Sequence, residues 1–330
     1  MDANNTNSAI PPKVSKLNIL PPNPEENSPE AVVGLGRFPS WLHRPLPTGS
    51  QIKKTGNILA HQRLHTVCEE AKCPNLLECW SQKTATFLIM GKACSRSCGF
   101  CDIDFTKTPK PLEKDEPERV ANSVEQLGLK HVVITMVARD DLADGGSHHL
   151  VQVINAIRQR MPEITIEVLT SDFLGKWDAI QEILAAKPEI FNHNIETVRE
   201  LTPRVRHTAT YQRTLDVLSY AASHRVHPHM KVKSGLMVGL GETEEQVYQT
   251  LEDLKKSGCD IVTMGQYLQP NRHKLRVKSF ITPEQFKKYE TYGYQIGMTY
   301  MYCGPFVRSS YNANLVLTKA NEQAITLNSI

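Results

Sequence analysis

Residues 84–101 read Thr-Ala-Thr-Phe-Leu-Ile-Met-Gly-Lys-Ala-Cys-Ser-Arg-Ser-Cys-Gly-Phe-Cys. The first eight form a short apolar run, which predicts a buried strand. Three cysteines, Cys94, Cys98 and Cys101, follow at once on what must be a loop. Five more apolar runs of this type lie at 129–137, 164–173, 189–196, 227–240 and 259–268. Helical patterns separate or follow them at 117–128, 147–161, 176–187, 210–225, 243–258 and 282–297. Thr243 with Gln246, and Thr282 with Pro283 and Gln285, match capping boxes at two helix starts. Strand–helix alternation six times over predicts parallel βαβ units. Six units fall short of a closed eightfold barrel. The expected fold is therefore α/β: a partial (β/α)6 TIM-like barrel with N-terminal and C-terminal extensions. A doubly wound sheet is the second choice. In either fold, a loop that follows a strand lies at the sheet edge where active sites gather.

Three thiolates on one loop can grip one face of a metal group. A four-iron cluster usually takes four cysteines, so three would leave one iron open. A zinc ion with a distant fourth ligand is the other reading. A second triad, Cys68, Cys73 and Cys79, precedes the barrel. His61 and His65 lie close enough in sequence to complete a zinc site there. Cys259 and Cys303 stand alone and read as small core residues. Two triads of odd number do not suit disulfides. A chain of 330 residues can build a core without such staples.

Composition narrows the class. Hydrophobic residues make up 40% and charged residues 22%, which is globular and excludes a disordered or collagen-like chain. The net charge of +3 does not require a nucleic-acid partner. Mean hydropathy is −0.36 and long apolar runs are absent, so no membrane span is expected. The first residues carry no apolar segment and no arginine precedes Arg37, so a cytoplasmic location is expected. Nine of the 20 prolines fall in residues 1–50. Residues 1–30 read as a disordered arm. Residues 31–83 read as an N-terminal extension carrying the second triad, its early part docked through Phe38 and Trp41. The barrel is expected over 84–297 and a C-terminal extension over 298–330.

The Cys94-x3-Cys98-x2-Cys101 loop, with Phe100 before its last cysteine, resembles the radical S-adenosylmethionine (SAM) signature. The upstream Cys68-x4-Cys73-x5-Cys79 triad resembles the auxiliary-cluster motif of the lipoyl synthase family. Arg308-Ser309-Ser310-Tyr311 is similar to that family's C-terminal motif. The likeness runs from about residue 31 to 315. Ala138, Met136 and Leu76-Leu77 depart from the family's usual text, in loops rather than at ligands.

The resemblance implies two [4Fe–4S] clusters and SAM. Cys94, Cys98 and Cys101 would hold the SAM-binding cluster. Cys68, Cys73, Cys79 and, by the family pattern, Ser310 would hold the auxiliary one. It implies sulfur insertion at C6 and C8 of a protein-bound octanoyl-lysine, with sulfur from the auxiliary cluster. No general base removes hydrogen from such carbons, so the cofactor carries the hard step. One serine of the pair is expected to ligate if the segment is extended, since neighbours then point opposite ways. The remaining SAM contacts would be Gly145 and Gly146 after the second strand, and Asn192 and Glu196 on the fourth. Lys233, Met237 and Gly239 would follow on the fifth. Packing roles stay open for these residues. His148, His149 and the histidines at 224–229 read as surface residues. The implied partners are octanoylated carrier domains (glycine-cleavage H protein or 2-oxoacid dehydrogenase E2). A ferredoxin or flavodoxin as electron donor and an iron–sulfur cluster carrier are also implied. Neither membrane nor nucleic acid is expected, and the chain is expected to be a monomer. A methylthiotransferase, a biotin-synthase-like enzyme and a metal-stabilised RNA-binding module are the competing functions. The basic run 272–276 is the feature closest to the last.

Overall fold

The apolar runs that open the chain's repeating units become adjacent strands of one sheet in the computed structural model. The structure describes residues 38–327 except 46 and 48. The expected arm over 1–30 lies outside the described residues. The six expected strands are all present: β2 (Thr86–Ile89), β5 (His131–Met136), β6 (Thr165–Leu169), β7 (Ile190–Asn192), β8 (Lys231–Val238) and β9 (Ile261–Gln266). They pair in parallel, in sequence order. Their residues are almost wholly buried, as a sheet covered on both faces demands.

Two strands of this sheet escaped the sequence reading. β10 (Tyr300–Gly304) adds in parallel beside β9, and β1 (His65–Thr66) pairs antiparallel with β2. The first part of the expected C-terminal extension is thus a strand of the barrel sheet. Eight strands in the order β1-β2-β5-β6-β7-β8-β9-β10 remain an open sheet among the described residues. β1 is only two residues long, and β10 is a five-residue run following directly on the last predicted helix, so neither stood out.

The predicted helices form α4 (Glu116–Leu127), α5 (Ser147–Arg160), α6 (Trp177–Ala185), α8 (Tyr211–Ser223), α9 (Glu244–Lys256) and α10 (Pro283–Gln295). The capping box is reciprocal at Thr243. At Thr282 the hydroxyl accepts from Gln285 N–H, but the return bond is not made. Five further helices, α1 (Ser50–His61), α2 (Val67–Glu70), α3 (Leu76–Ser81), α7 (Thr202–Val205) and α11 (Ala313–Leu327), lie outside the repeating units or in their loops. Leu59, Leu64 and Trp80 join Phe87, Ile134, Phe191 and Val262 in one core, so the N-terminal segment packs onto the barrel. Phe38 meets Phe280 edge-on at 5.8 Å, which is the docking expected of that segment. No described helix is long and apolar enough to cross a membrane.

Candidate functional site

The Cys94–Cys101 loop leaves β3 (Ala93–Cys94) and returns through β4 (Asp104–Phe105), with Thr106 N–H donating to Cys94 O at 2.9 Å. Neighbouring strand ends pin it. Ser95 N–H donates to Ala138 O (3.0 Å). Arg96 forms a two-pronged ion pair with Asp140, both bonds 2.7 Å, and its Nη2 also lies 2.7 Å from Asp172 Oδ1. Arg213 takes the other oxygen of Asp172 at 3.1 Å. Gly99 donates to Val205 O (2.9 Å) and accepts from Leu275 N–H (3.0 Å). Glycine is required there because a β-carbon would press on Arg204 O and Leu275 at 3.1 Å.

Burial and the neighbouring thiols push Cys98 up to about 11 and Cys101 up to about 12. Glu196, by its charge, adds a smaller raising influence on both. It lies beyond the end of β7, bridged to Leu236, with a left-handed φ of 67° that a non-glycine residue rarely adopts. Burial raises its own pKa against the pull of Arg206. Burial holds Asp172 up, but Arg96 and His193 outweigh it and bring it to about 2. Burial and the Arg206 charge push His193 down to about 4. This charged cluster beneath the loop (Arg96, Asp140, Asp172, His193, Arg206) was missed in the sequence. Charged residues just past strand ends, as in Asp172 after β6, were the available signal.

The second triad sits on α2, the following turn and α3. Burial, then the neighbouring thiols, push Cys68 and Cys79 up to about 12. Phe306 and Tyr311 reach it from the far end of the chain. Asn75 Nδ2 donates to Phe306 O (2.7 Å), and Tyr311 OH donates to Glu78 Oε1 (2.7 Å). Arg44 joins both, bonding Glu78 and Asn75 and stacking over the Phe306 ring at 4.5 Å. Arg308 Nη1 donates to the Val307 carbonyl at 2.8 Å, and burial lowers its pKa against the pull of Cys73. The strap crosses Gly265 on β9, where any β-carbon would strike the Val307 carbonyl. Residues 308–311 form a turn, with Tyr311 N–H donating to Arg308 O (3.0 Å). The strand-like alternation expected of Ser309 and Ser310 therefore does not apply. Among the described residues neither serine hydroxyl has a hydrogen-bond partner, so the turn leaves both available.

Other expected contacts are distributed unevenly. Met237 packs with Phe100 against Val205, Leu240 and Tyr267. Gly239 has a φ of 98° and its β-carbon would collide with Gln266. Gly145 and Gly146 also have positive φ, and their missing side chains make room for Phe173 and Met90, the protein's own core. Asn192 is buried and donates to Glu167 Oε1 (2.8 Å), while its Oδ1 has no partner. Lys233 is neither a solvated strand end nor free for a ligand. It is buried and paired with Glu167 at 2.8 and 2.9 Å. His149 is not a surface residue: it is buried and bonds Glu116 Oε2 at 2.6 Å. His61 is exposed and His65 bonds Glu70 at 3.2 Å. Cys259 is buried against backbone carbonyls, as expected of a core residue.

An open parallel barrel with three cysteines on the loop after its first barrel strand defines a radical SAM protein, and residues 88–264 match that superfamily. Residues 24–73 match the N-terminal domain of lipoyl synthase of the radical SAM family. The chain belongs to the lipoyl synthase family. It is 70% identical to the lipoyl synthase of Protochlamydia amoebophila over 96% of this chain and 98% of that protein. It is 50% identical to that of Chlamydia muridarum, over 91% and 96%. Among solved structures, methylornithine synthase (PylB) matches with a TM-score of 0.50 at 14% identity, covering 76% of this chain and 71% of that one. Streptococcus suis SuiB bound to S-adenosylmethionine matches with a TM-score of 0.51 at 12% identity, over 69% and 53%. These two share the fold.

The family works with [4Fe–4S] clusters and SAM, and the donor sets fit them. Each site offers three thiols. Among the described residues no three His, Cys, Asp or Glu side chains converge on a single ion. Asn192 Oδ1, Asn194 Oδ1 and Arg206 Nε are buried without partners, as a polar ligand at this mouth requires.

Proposed function

We propose that Cys94, Cys98 and Cys101 hold the SAM-binding cluster and that Cys68, Cys73, Cys79 and Ser310 hold the auxiliary one. The chain thereby converts a protein-bound octanoyl-lysine to the lipoyl group. When bound, the two clusters and SAM supply hydrogen abstraction and sulfur at C6 and C8. The chain's own residues orient and enclose. Arg96 fixes the first cysteine loop through Asp140 and Asp172. Asn192, Glu196, Gly145, Gly146, Met237 and Gly239 would contribute the contacts to SAM, the first two toward its ribose, the two glycines toward its methionyl end and the last two toward its adenine. Lys233 serves instead by neutralising Glu167 inside the barrel. The strap over Gly265 keeps water from the reacting carbons. The functional units are an N-terminal segment over 31–83, a barrel over 84–297 to which β10 adds, and a C-terminal segment beyond β10. The partners are an octanoylated carrier domain, glycine-cleavage H protein or a 2-oxoacid dehydrogenase E2, a ferredoxin or flavodoxin, and an iron–sulfur cluster carrier. The protein works as a monomer in the cytoplasm.

One observation carries the reading: Tyr311 and Phe306 bond to Glu78 and Asn75, more than 200 residues away, at the turn bearing the second triad. Anaerobic reconstitution with iron and sulfide, followed by SAM, reductant and an octanoyl-lysyl peptide, tests it. A peptide gaining two sulfurs by mass is expected. Colourless, zinc-loaded protein without product would overturn it. Ser310→Ala should keep SAM cleavage and impair the second sulfur step, and Ser309→Ala should be milder.

A further inference from the structure

No acidic residue occurs between Asp260 and Glu284, yet Arg272, Lys274, Arg276 and Lys278 alternate along the loop that leaves β9. Arg272, Arg276 and Lys278 are exposed, and so is Arg204 on α7. Among the described residues none of these five cations forms an ion pair, although their neighbours Arg199 and Arg213 do. Arg204, Arg276 and Lys278 surround a small apolar cleft of Leu201, Val205, Leu240 and Leu275. Val205 and Leu275 are the two residues that hold Gly99 through its N–H and its carbonyl. The patch therefore bonds to the residue next to Cys98 and two before Cys101. The strap's bonds, by contrast, fall on Asn75 and Glu78 beside the other triad.

Resting on the radical SAM reading above, we infer that this basic cleft is the docking surface for an acidic one-electron carrier protein that feeds the Cys94–Cys98–Cys101 site. Unpaired rim cations around an apolar centre suit an acidic protein face. A nucleic acid would want exposed aromatics among the charges, and this loop offers leucine and valine. The donor loses one electron to the cluster held behind Gly99, and no bond forms or breaks. A lipoyl carrier instead has to bring its chain to the space between the two triads.

The test is the Kd of the reconstituted full chain for an acidic flavodoxin, by fluorescence anisotropy, with 5′-deoxyadenosine formation driven by dithionite measured in parallel. Arg204→Glu with Arg276→Glu should weaken flavodoxin binding by about tenfold or more. Wild-type binding should weaken between about 0.05 and 0.3 M salt. Dithionite-driven turnover should stay unchanged in the variant. An unaltered Kd, salt-insensitive binding or no binding by the wild type would overturn the inference. So would a loss falling on the octanoylated carrier instead. Absent turnover with dithionite in the wild type would sink the radical SAM reading and leave the binding result to decide the docking surface.

Discussion

The two cysteine triads are chemically alike and structurally opposite. The first stands on the barrel: its loop is gripped by residues from the ends of β5 and β6 and from the segments after β7 and β9. The second stands on two short helices outside the parallel strands and owes its far wall to residues 306–311. A site built on a rigid scaffold inherits the scaffold's precision. A site closed by a distant strap exists only when both ends of the chain are in place.

The sharpest break between the two is in the thiols themselves. Cys94→Ala should abolish SAM cleavage and leave about half the iron, since each cluster carries four irons. Cys73→Ala should still form 5′-deoxyadenosine but give no lipoyl product. Iron analysis with product chromatography separates the two, and normal sulfur insertion by the Cys73 variant would end the donor assignment.

Next in size is the clamp under the first triad. Arg96→Ala strips Asp172, which is fully buried, of one of its two arginines. Removing one partner of a buried pair costs about 3–5 kcal/mol. Denaturant titration should show that loss, and Arg96→Lys should restore part of it. The matching blow to the second triad is Gly265→Ala, which drives a β-carbon into the Val307 carbonyl. Overpacking of this kind costs about 1–3 kcal/mol. The loss should fall on product formation, with SAM cleavage retained. Equal loss of both activities would show that the strap is not specific to the auxiliary side.

Acid should act on the first site by a route absent from the second. His193 is held near 4 in the folded chain against an ordinary 6.5, so the unfolded chain binds the extra proton between those values. Stability should fall as pH drops from about 6.5 to about 4. Asp172, held near 2, should extend the loss below that. Tm measured against pH should show the slope, and His193→Gln should flatten its upper part. The smallest effect expected is that of Tyr311→Phe. It removes one half-exposed bond to Glu78, about 1 kcal/mol. It should lower auxiliary iron retention while leaving the first cluster unchanged.

Much of this molecule was written in contiguous residues. Six strands, six helices and both triads announce themselves because apolar periodicity and ligand spacing act within one segment. Cys94, Cys98 and Cys101 share an eight-residue loop that any reading of the chain would find. The tertiary structure alone decided the rest. β10 is too short a run to declare itself alone, and it becomes a strand by pairing in parallel with β9. Lys233 looked available and is consumed by Glu167, 66 residues away. Glu196 takes its left-handed backbone beside an isolated bridge to Leu236, a pairing that the local sequence does not announce. The strap meets the second triad across more than 200 residues. Local sequence sets which groups a segment carries. Which groups meet depends on how the barrel orders its strands, and that is a property of the packed chain.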